Sequence, residues 1–491
     1  MHGRRAALAL GLAATAALVV SLTASATIPV LRIATDPFTN STSQHKTVVE
    51  PDSFFFGSTG VVAAQAGRFT DGGASGIVFA RSIDNGASYT SGTLPGITVF
   101  QGGTFARVTD PSVAHDRSHG VWMVSTIGLD SSVRGTAVLV SRSTNGGATW
   151  GNPVTVRAAA ANEDFDKNWT ACDNTTTSPF FGRCYTVWDD FANGNRLRIA
   201  FSTDGGLNWT LSSTPNTGVI GGQPVVEPNG NVVVPLDNAT ETSLGFTTST
   251  NGGVSFGQVF TITSITAKVD PGGIRSGPLP SAEIAGDGRI FVVWEDCRFR
   301  TNCSTNDLVF ASSPTGALWG PVTRIPIDPT TSVADHFIPG VGVDRNTSGS
   351  TTKVAVTFYF YPDVNCTFST CQLHVGFISS SDAGATWGPL VDVSGPMALA
   401  SLPNTTQGRM VGDYISTSFN GSSQARGYFV VANPPTSGGS DCQTATPNCD
   451  VSLNTFVTGR SAAAATTAVA NDPVLVTTKP RPGHSAFSHR H

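Results

Sequence analysis

Five carboxylates recur at comparable places along the chain: Glu50 before Pro51, Asp110 before Pro111, Asp166 before Lys167, Asp335 before His336 and Asp413 before Tyr414. Gln223-Pro224 and Arg275 join them at related positions. Carboxylates that converge suit calcium or the hydroxyls of a sugar, and they must be paired if they are shielded from water. The structural alternative is that each accepts hydrogen bonds from backbone amides of a neighbouring element. A second group holds Arg68 and Asp71 in GRFTDGG, Asp189 and Asp190 in VWDDF, and Glu295, Asp296 and Arg298 in VWEDCRFR. Tyr414, beside Asp413 and near Arg409, is the best single candidate for a nucleophile or base. Its alternative role is a packed ring with a satisfied hydroxyl. His336 is a candidate acid or base, and equally a structural hydrogen-bond donor. Glu227, Asp287 and Asp344 lie in turn-like stretches such as EPNG and GDGR and are read as turn residues.

The elements that must position these groups follow from an internal repeat. One motif occurs six times: SIDNGASY from Ser82, STNGGATW from Ser143, STDGGLNW from Ser202, STNGGVSF from Ser249, SSPTGALW from Ser312 and SSDAGATW from Ser380. An Asp or Asn side chain can bond its own backbone in a turn, Gly supplies the positive φ, and the closing aromatic packs under the hairpin. Pro314 breaks the pattern in the fifth copy, which predicts the least regular hairpin there. Successive copies are separated by enough chain for a four-stranded sheet with its loops. DPSVAHD from Asp110, GVWMVST from Gly120 and GTAVLVS from Gly135 alternate as strands do before the second copy.

This motif resembles the Asp-box, S-x-D-x-G-x-T-W, of the sialidase superfamily, which implies an all-β propeller with the boxes at its outer, lower rim and no catalytic role for them. Inner strands outnumber boxes. After the sixth copy, MVGDYISTSF, ARGYFVVA and VSLNTFVTG supply three strands of a further blade, and IPVLRIA at 28–34 can be its outer strand. Seven blades closed by that N-terminal strand are therefore expected, with six, the sialidase number, as the alternative. The resemblance implies that Arg68 contacts substrate, that Asp71 is the acid/base and that Tyr414 is a nucleophile activated by a carboxylate. Val49 stands where the family has the first of three arginines that clamp a carboxylate. Arg275 and Arg409 can supply two cations, although their surroundings do not match the family's motifs. Propeller-shaped polysaccharide lyases offer a further likeness, with His336 and Tyr414 as acid and base and Arg275 neutralising a uronate.

Composition bounds the remaining choices. Charged residues make up 13% of the 491, with 53 Gly and 29 Pro, which favours short strands and tight turns over long helices. The net charge of -5 and the lack of a basic run exclude a nucleic-acid footprint. MHGRR, the apolar run from Ala6 to Leu22 and Ala24-Ser25-Ala26 read as a signal peptide over 1–26, with an uncleaved anchor as the alternative. The propeller is expected over 27–459 and a disordered tail over 460–491, whose His484, His489 and His491 are read as solvated. Cysteines 172 and 184, 297 and 303, 366 and 371, 442 and 449 form four close pairs, read as local disulfides of an exported chain in preference to zinc ligands. The expected protein is a secreted monomer acting on or binding an extracellular glycan or polysaccharide. It is a glycoside hydrolase of sialidase type, a non-catalytic glycan- or protein-binding propeller or, third, a uronate lyase. No cofactor is required on this reading; calcium is the one ion that the carboxylates suit.

Overall fold

The computed structural model describes residues 28–437, 439–442, 449–462, 467–468 and 472–476. Among them no α-helix occurs, and the only helical turns are three-residue 3-10 turns. Strands run as successive antiparallel meanders of four, which form seven blades. The inner strands are Val48–Phe56, Arg107–Asp116, Phe165–Cys172, Val225–Val226, Ser281–Ile284, Asp335–Val343 and Ser416–Phe419. The first two blades also touch at the single pair Ala74 and Val108. The seventh blade is completed by Val30–Thr35, which pairs antiparallel with Asp450–Phe456 as its outer strand. The expected count and closure are those observed.

The burial gradient explains why these sequences do not all alternate. Second strands such as Val121–Leu129 and Ile290–Asp296 lie between two neighbouring blades and are buried at every position. Outer strands such as Phe260–Ser264 have no buried residue. Polar side chains then stitch blade to blade along the channel. The amide of Val113 donates to Asp52 at 2.6 Å, that of Thr170 to Ser112 at 3.1 Å, that of Ala282 to Gln223 at 2.8 Å and that of Val341 to Ser281 at 3.0 Å. The ring closes through Thr417, which donates to the Gly340 carbonyl at 2.7 Å, and through Ser53, whose hydroxyl lies 2.7 Å from those of Ser416 and Ser418. These bonds replace water on buried groups, so they locate each blade as well as stabilise it.

The six hairpins share one geometry at five copies. In the first, Ser82 donates to Asp84 at 2.7 Å while accepting from the Gly86 amide at 2.8 Å, and Asp84 accepts from the Ser88 amide at 3.0 Å. Asn145 and Asn251 make the equivalent bonds in the second and fourth. The fifth is irregular, as expected, but for a different reason. Ser313, not Ser312, ends the strand there, so the turn is one residue shorter; its hydroxyl donates to the Leu318 carbonyl at 2.6 Å.

The closing aromatics do more than cover their own hairpins. Trp150 meets Phe79 of the preceding blade at 5.8 Å between ring centroids, Trp319 meets Phe246 at 5.7 Å and Trp387 meets Phe310 at 5.9 Å. Arg81 donates to the Gly146 carbonyl at 2.6 Å, and Arg142 to that of Gly205 at 2.5 Å, each reaching into the next blade's box.

All four cysteine pairs are disulfides, which fit an extracellular chain. No helix among the described residues is long and apolar enough to cross a membrane. The signal sequence expected over 1–26 lies outside the described residues. Parts of the 460–491 stretch, expected to carry no strand, do pair: Arg460–Ser461 with Gln424 and Ala425, and Thr467–Ala468 with Thr386 and Trp387. Asp472 accepts from Arg324 at 2.7 Å and the Leu475 amide donates to the Arg298 carbonyl at 2.7 Å. The start of the seventh blade's second strand, the short strand of the sixth box and a loop carbonyl at Arg298 supply these partners, which the sequence alone did not suggest. His484, His489 and His491 lie outside the described residues.

Candidate functional site

Four inner strands carry the same irregularity. Their pairing skips at Glu50, Asp110, Lys167 and Ile338, and these residues have φ of 56°, 52°, 49° and 48°. A bulge with an L-residue in the left-handed region costs roughly 1–3 kcal/mol, and it turns one side chain away from the regular pleat. Three of the four are charged, and they meet at one end of the channel, the upper end, where the inner strands begin.

The cluster they form is dense. Lys167 Nζ lies 3.5 Å from Asp110 Oδ1 and 3.5 Å from the centre of the Tyr414 ring. Arg275 holds Asp413 through both carboxylate oxygens, its Nε donating at 2.7 Å. Gln65 donates to Glu50 and to Thr109, and accepts from Arg68 at 2.9 Å. Tyr414 donates its hydroxyl to the Pro111 carbonyl at 3.1 Å and sets its ring edge-on to Trp169. Asp166 adds a charge close enough to act on Arg275.

Burial first, then the neighbouring Asp110 and Asp413, raises the Glu50 carboxyl to about 8. With Glu50 carrying its proton at neutral pH, Arg68, Lys167 and Arg275 face Asp110, Asp166 and Asp413. Charge therefore balances inside a site where no member is more than 5% exposed. Burial also pushes the Tyr414 hydroxyl well above its ordinary range, with Glu50 and Asp110 adding to the effect.

Chain segments cover the cluster. Gln44 exchanges two hydrogen bonds with the Asn404 backbone at 2.8 and 2.9 Å, and the Thr406 amide donates to the Thr70 carbonyl at 2.9 Å. The Arg275 amide donates to the Arg409 carbonyl at 2.7 Å.

The predicted site residues thus divide. Glu50, Arg68, Asp110, Asp166, Arg275, Asp413 and Tyr414 share the cluster. Arg409 does not, because its guanidinium turns outward to Asp441 at 2.8 Å and to the Leu402 carbonyl at 2.9 Å. Asp335 and His336 precede their strand's bulge by three and two residues, which places them elsewhere. Asp335 accepts from the Asn306 amide at 2.6 Å, and burial followed by the nearby Asp270 raises its carboxyl well above the usual range. His336 packs on Phe358 and Phe360 with Nε2 3.9 Å from Asp328, and burial lowers its pKa. It shares no contact with Tyr414, so the acid and base pair expected of a lyase is not assembled. Gln65, Thr109 and Lys167 escaped the sequence reading. Glu50-Pro51, Asp110-Pro111 and Lys167-Asn168 align at the bulge, and that register was the available signal.

Asp71 sits apart at the rim. Its carboxylate is 57% exposed and takes two bonds from Arg107, at 2.5 and 3.2 Å, and this hydrogen bonding holds it below the usual carboxylate range. An acid that donates a proton near neutral pH needs the opposite shift. Arg107 also lies 4.1 Å over the Phe69 ring. With Phe100, Val99, Thr42 and Ser131 these groups line an open groove of about 870 Å³ between the first two blades. Val99 is 57% exposed and Phe100 37%.

No protein-family model matches the sequence, and comparison with curated proteins finds no match. Solved structures with some likeness include a protein of unknown function from Dyadobacter fermentans, at 17% identity and a TM-score of 0.45 over 72% of this chain and 99% of that one. A leech intramolecular trans-sialidase gives 11% identity and a TM-score of 0.47 over 88% of this chain and 70% of that one. A Hadza microbial sialidase gives 15% and 0.45, and the chain spans 64% of its length, with 64% of this chain covered. Likeness at this level decides nothing about activity or substrate.

Proposed function

We propose that this chain is a secreted, monomeric propeller that binds an extracellular glycan at the upper-rim groove of its first two blades without cleaving it. The observation that carries this reading is the burial and internal pairing of the candidate catalytic groups, set against the open groove beside them. Phe100 offers a ring face to the C–H face of a sugar, while Asp71, Thr42, Ser131 and Arg107, held on the buried Phe69 ring, offer acceptors and donors to its hydroxyls. No cofactor enters. Calcium suits the channel carboxylates poorly, since Lys167 and Arg275 already occupy two of them and burial keeps Glu50 protonated.

One observation favours a second reading. Tyr414 lies close to Glu50 in the presence of Arg68 and Arg275, a set that resembles a glycosidase nucleophile with its activating carboxylate. Incubating residues 27–459 with sialylated, neutral and uronate-containing glycans, with and without calcium, separates the two. The binding reading predicts retention on a glycan array, loss of that retention in Phe100→Ala, and unchanged glycan masses. Release of free sugar that Tyr414→Phe abolishes would overturn it in favour of the hydrolase.

A further inference from the structure

The two ends of the central channel differ. The upper end is filled by the charge cluster; the lower end, where the inner strands finish, opens into a vestibule of about 490 Å³, within the roughly 300–1,000 Å³ common for ligand sites. Every blade contributes to its wall: Phe56, Asn174, Val226, Glu283 and Phe419 come from five of them, Arg117 and Arg345 from the other two.

The chemistry of that wall is selective. Arg345 is paired with Glu283 at 2.9 Å and lies 5.0 Å over the Phe54 ring. Arg117 lies 5.9 Å from the Phe56 ring and, among the described residues, has no carboxylate within ion-pair distance. Phe56 is 38% exposed on one side and on the other stacks on His115 at 4.3 Å. His115 also lines the channel above, is 6% exposed, and its Nδ1 has no hydrogen-bond partner. An unpaired guanidinium and the half-exposed Phe56 ring thus share one wall of the vestibule, with the unpartnered imidazole nitrogen of His115 behind that ring.

We infer that the lower vestibule is a second ligand site, distinct from the upper-rim groove, for a sugar unit that carries one carboxylate. The carboxylate pairs with Arg117, whose planar fork matches it. The C–H face of the ring lies on Phe56, and hydroxyls reach the Glu283 carboxylate. A neutral sugar leaves Arg117 without its partner, so the site discriminates by charge. A free uronic acid and the terminal uronate of a polysaccharide present the same group.

Saturation-transfer NMR on the folded chain with glucuronate, and with glucose as the neutral counterpart, tests this. Glucuronate should show transfer and glucose none, with at least a tenfold loss of affinity in Arg117→Ala. Arg117 is exposed, so that variant should fold; circular dichroism checks it, and Phe56→Ala provides a second variant at the same wall. Glucuronate tetrasaccharide binding that fails where the monosaccharide succeeds would still place the site here, restricted to the free acid. Equal transfer to both sugars, or glucuronate binding untouched by Arg117→Ala, would overturn the inference. So would loss in Arg107→Ala with retention in Arg117→Ala, since the uronate would then lie in the upper-rim groove.

Discussion

The outer-rim hairpins and the upper channel cluster both hold neighbouring blades together, by opposite means. The hairpins repeat one local geometry: a hydroxyl and an amide or carboxylate close the turn, and in the second, third and fourth boxes an arginine from the blade before reaches a glycine carbonyl. The cluster repeats only a backbone device, the bulge, and hangs a different side chain on it in each blade. Redundancy is therefore built into the rim, where one lost hairpin leaves others, whereas every charge of the cluster balances another. The cluster should be the more costly region to disturb.

The largest effect is expected at the buried pair of Arg275 and Asp413. Asp413→Ala leaves a guanidinium without its carboxylate in a water-excluded site, at a cost of roughly 3–5 kcal/mol. Urea unfolding followed by tryptophan fluorescence measures this. A loss under about 1 kcal/mol would mean that the cluster relaxes or hydrates, and the contrast with the rim would vanish.

Next comes a test inside the rim. Gly253 has φ of 85°, and a Cβ there would meet the Tyr185 ring at 2.6 Å. Gly253→Ala combines backbone strain with overpacking and should cost roughly 2–4 kcal/mol. Gly57, with φ of 59° and open space around it, isolates the strain alone; Gly57→Ala should cost about 1–2 kcal/mol. Equal costs at the two positions would show that the box glycines serve the turn and not the approach of the preceding blade.

The same contrast decides how much could be read from the sequence. The rim was legible because its chemistry is local: serine, Asp or Asn, glycine and an aromatic within eight residues specify a turn without knowledge of anything distant. Counting inner strands then gave the seventh blade and its closure by residues near 30, since an unpaired edge needs a partner. The cluster was legible only in part. Strand starts point to Glu50, Asp110, Asp166 and Asp413, all in the cluster, but they do not show that in the third blade the bulge itself falls on Lys167. Asp335 and His336 fall outside the cluster because Ile338, three and two residues further on, holds the bulge position in their blade. The outward turn of Arg409 depends on Asp441, a partner across a long loop that no local pattern announces.

A smaller effect should follow pH. Glu50 is raised to about 8, chiefly by burial, and Asp52 to about 7 by the same cause. An acid with a folded pKa above its unfolded value contributes stability that is complete below the unfolded pKa, near 4, and lost as pH rises through the folded one. Stability should therefore decline as pH rises from about 4, through about 7 for Asp52 and about 8 for Glu50, by up to about 1.4 kcal/mol per pH unit for each group, and level off above. His115, lowered to about 4 by burial, works in the other direction but only below about pH 6.5. Glu50→Gln keeps the shape of the protonated acid and should flatten the decline. A melting temperature with the same pH dependence in both proteins would remove Glu50 as its source.

The smallest effect belongs to a single box. Asp84 accepts from the Ser88 amide at 3.0 Å, the Ser88 hydroxyl at 2.6 Å and the Ser82 hydroxyl at 2.7 Å, and the Ser88 hydroxyl leads the bonds that bring it down to about 2. Asp84→Ala removes this closure and, by comparison with helix N-caps, should cost roughly 0.5–2 kcal/mol. Asp84→Asn is the sharper variant. Asn145 performs the same role in the second box without a charge, so Asn at position 84 should leave stability at pH 7 almost unchanged. It should also remove the part of acid sensitivity that comes from an acid with a lowered pKa, whose contribution is present above about pH 4 and lost as pH falls through about 2. If Asp84→Asn costs as much as Asp84→Ala at neutral pH, charge and not turn geometry holds the rim, and the hairpins and the channel cluster would then work by one principle.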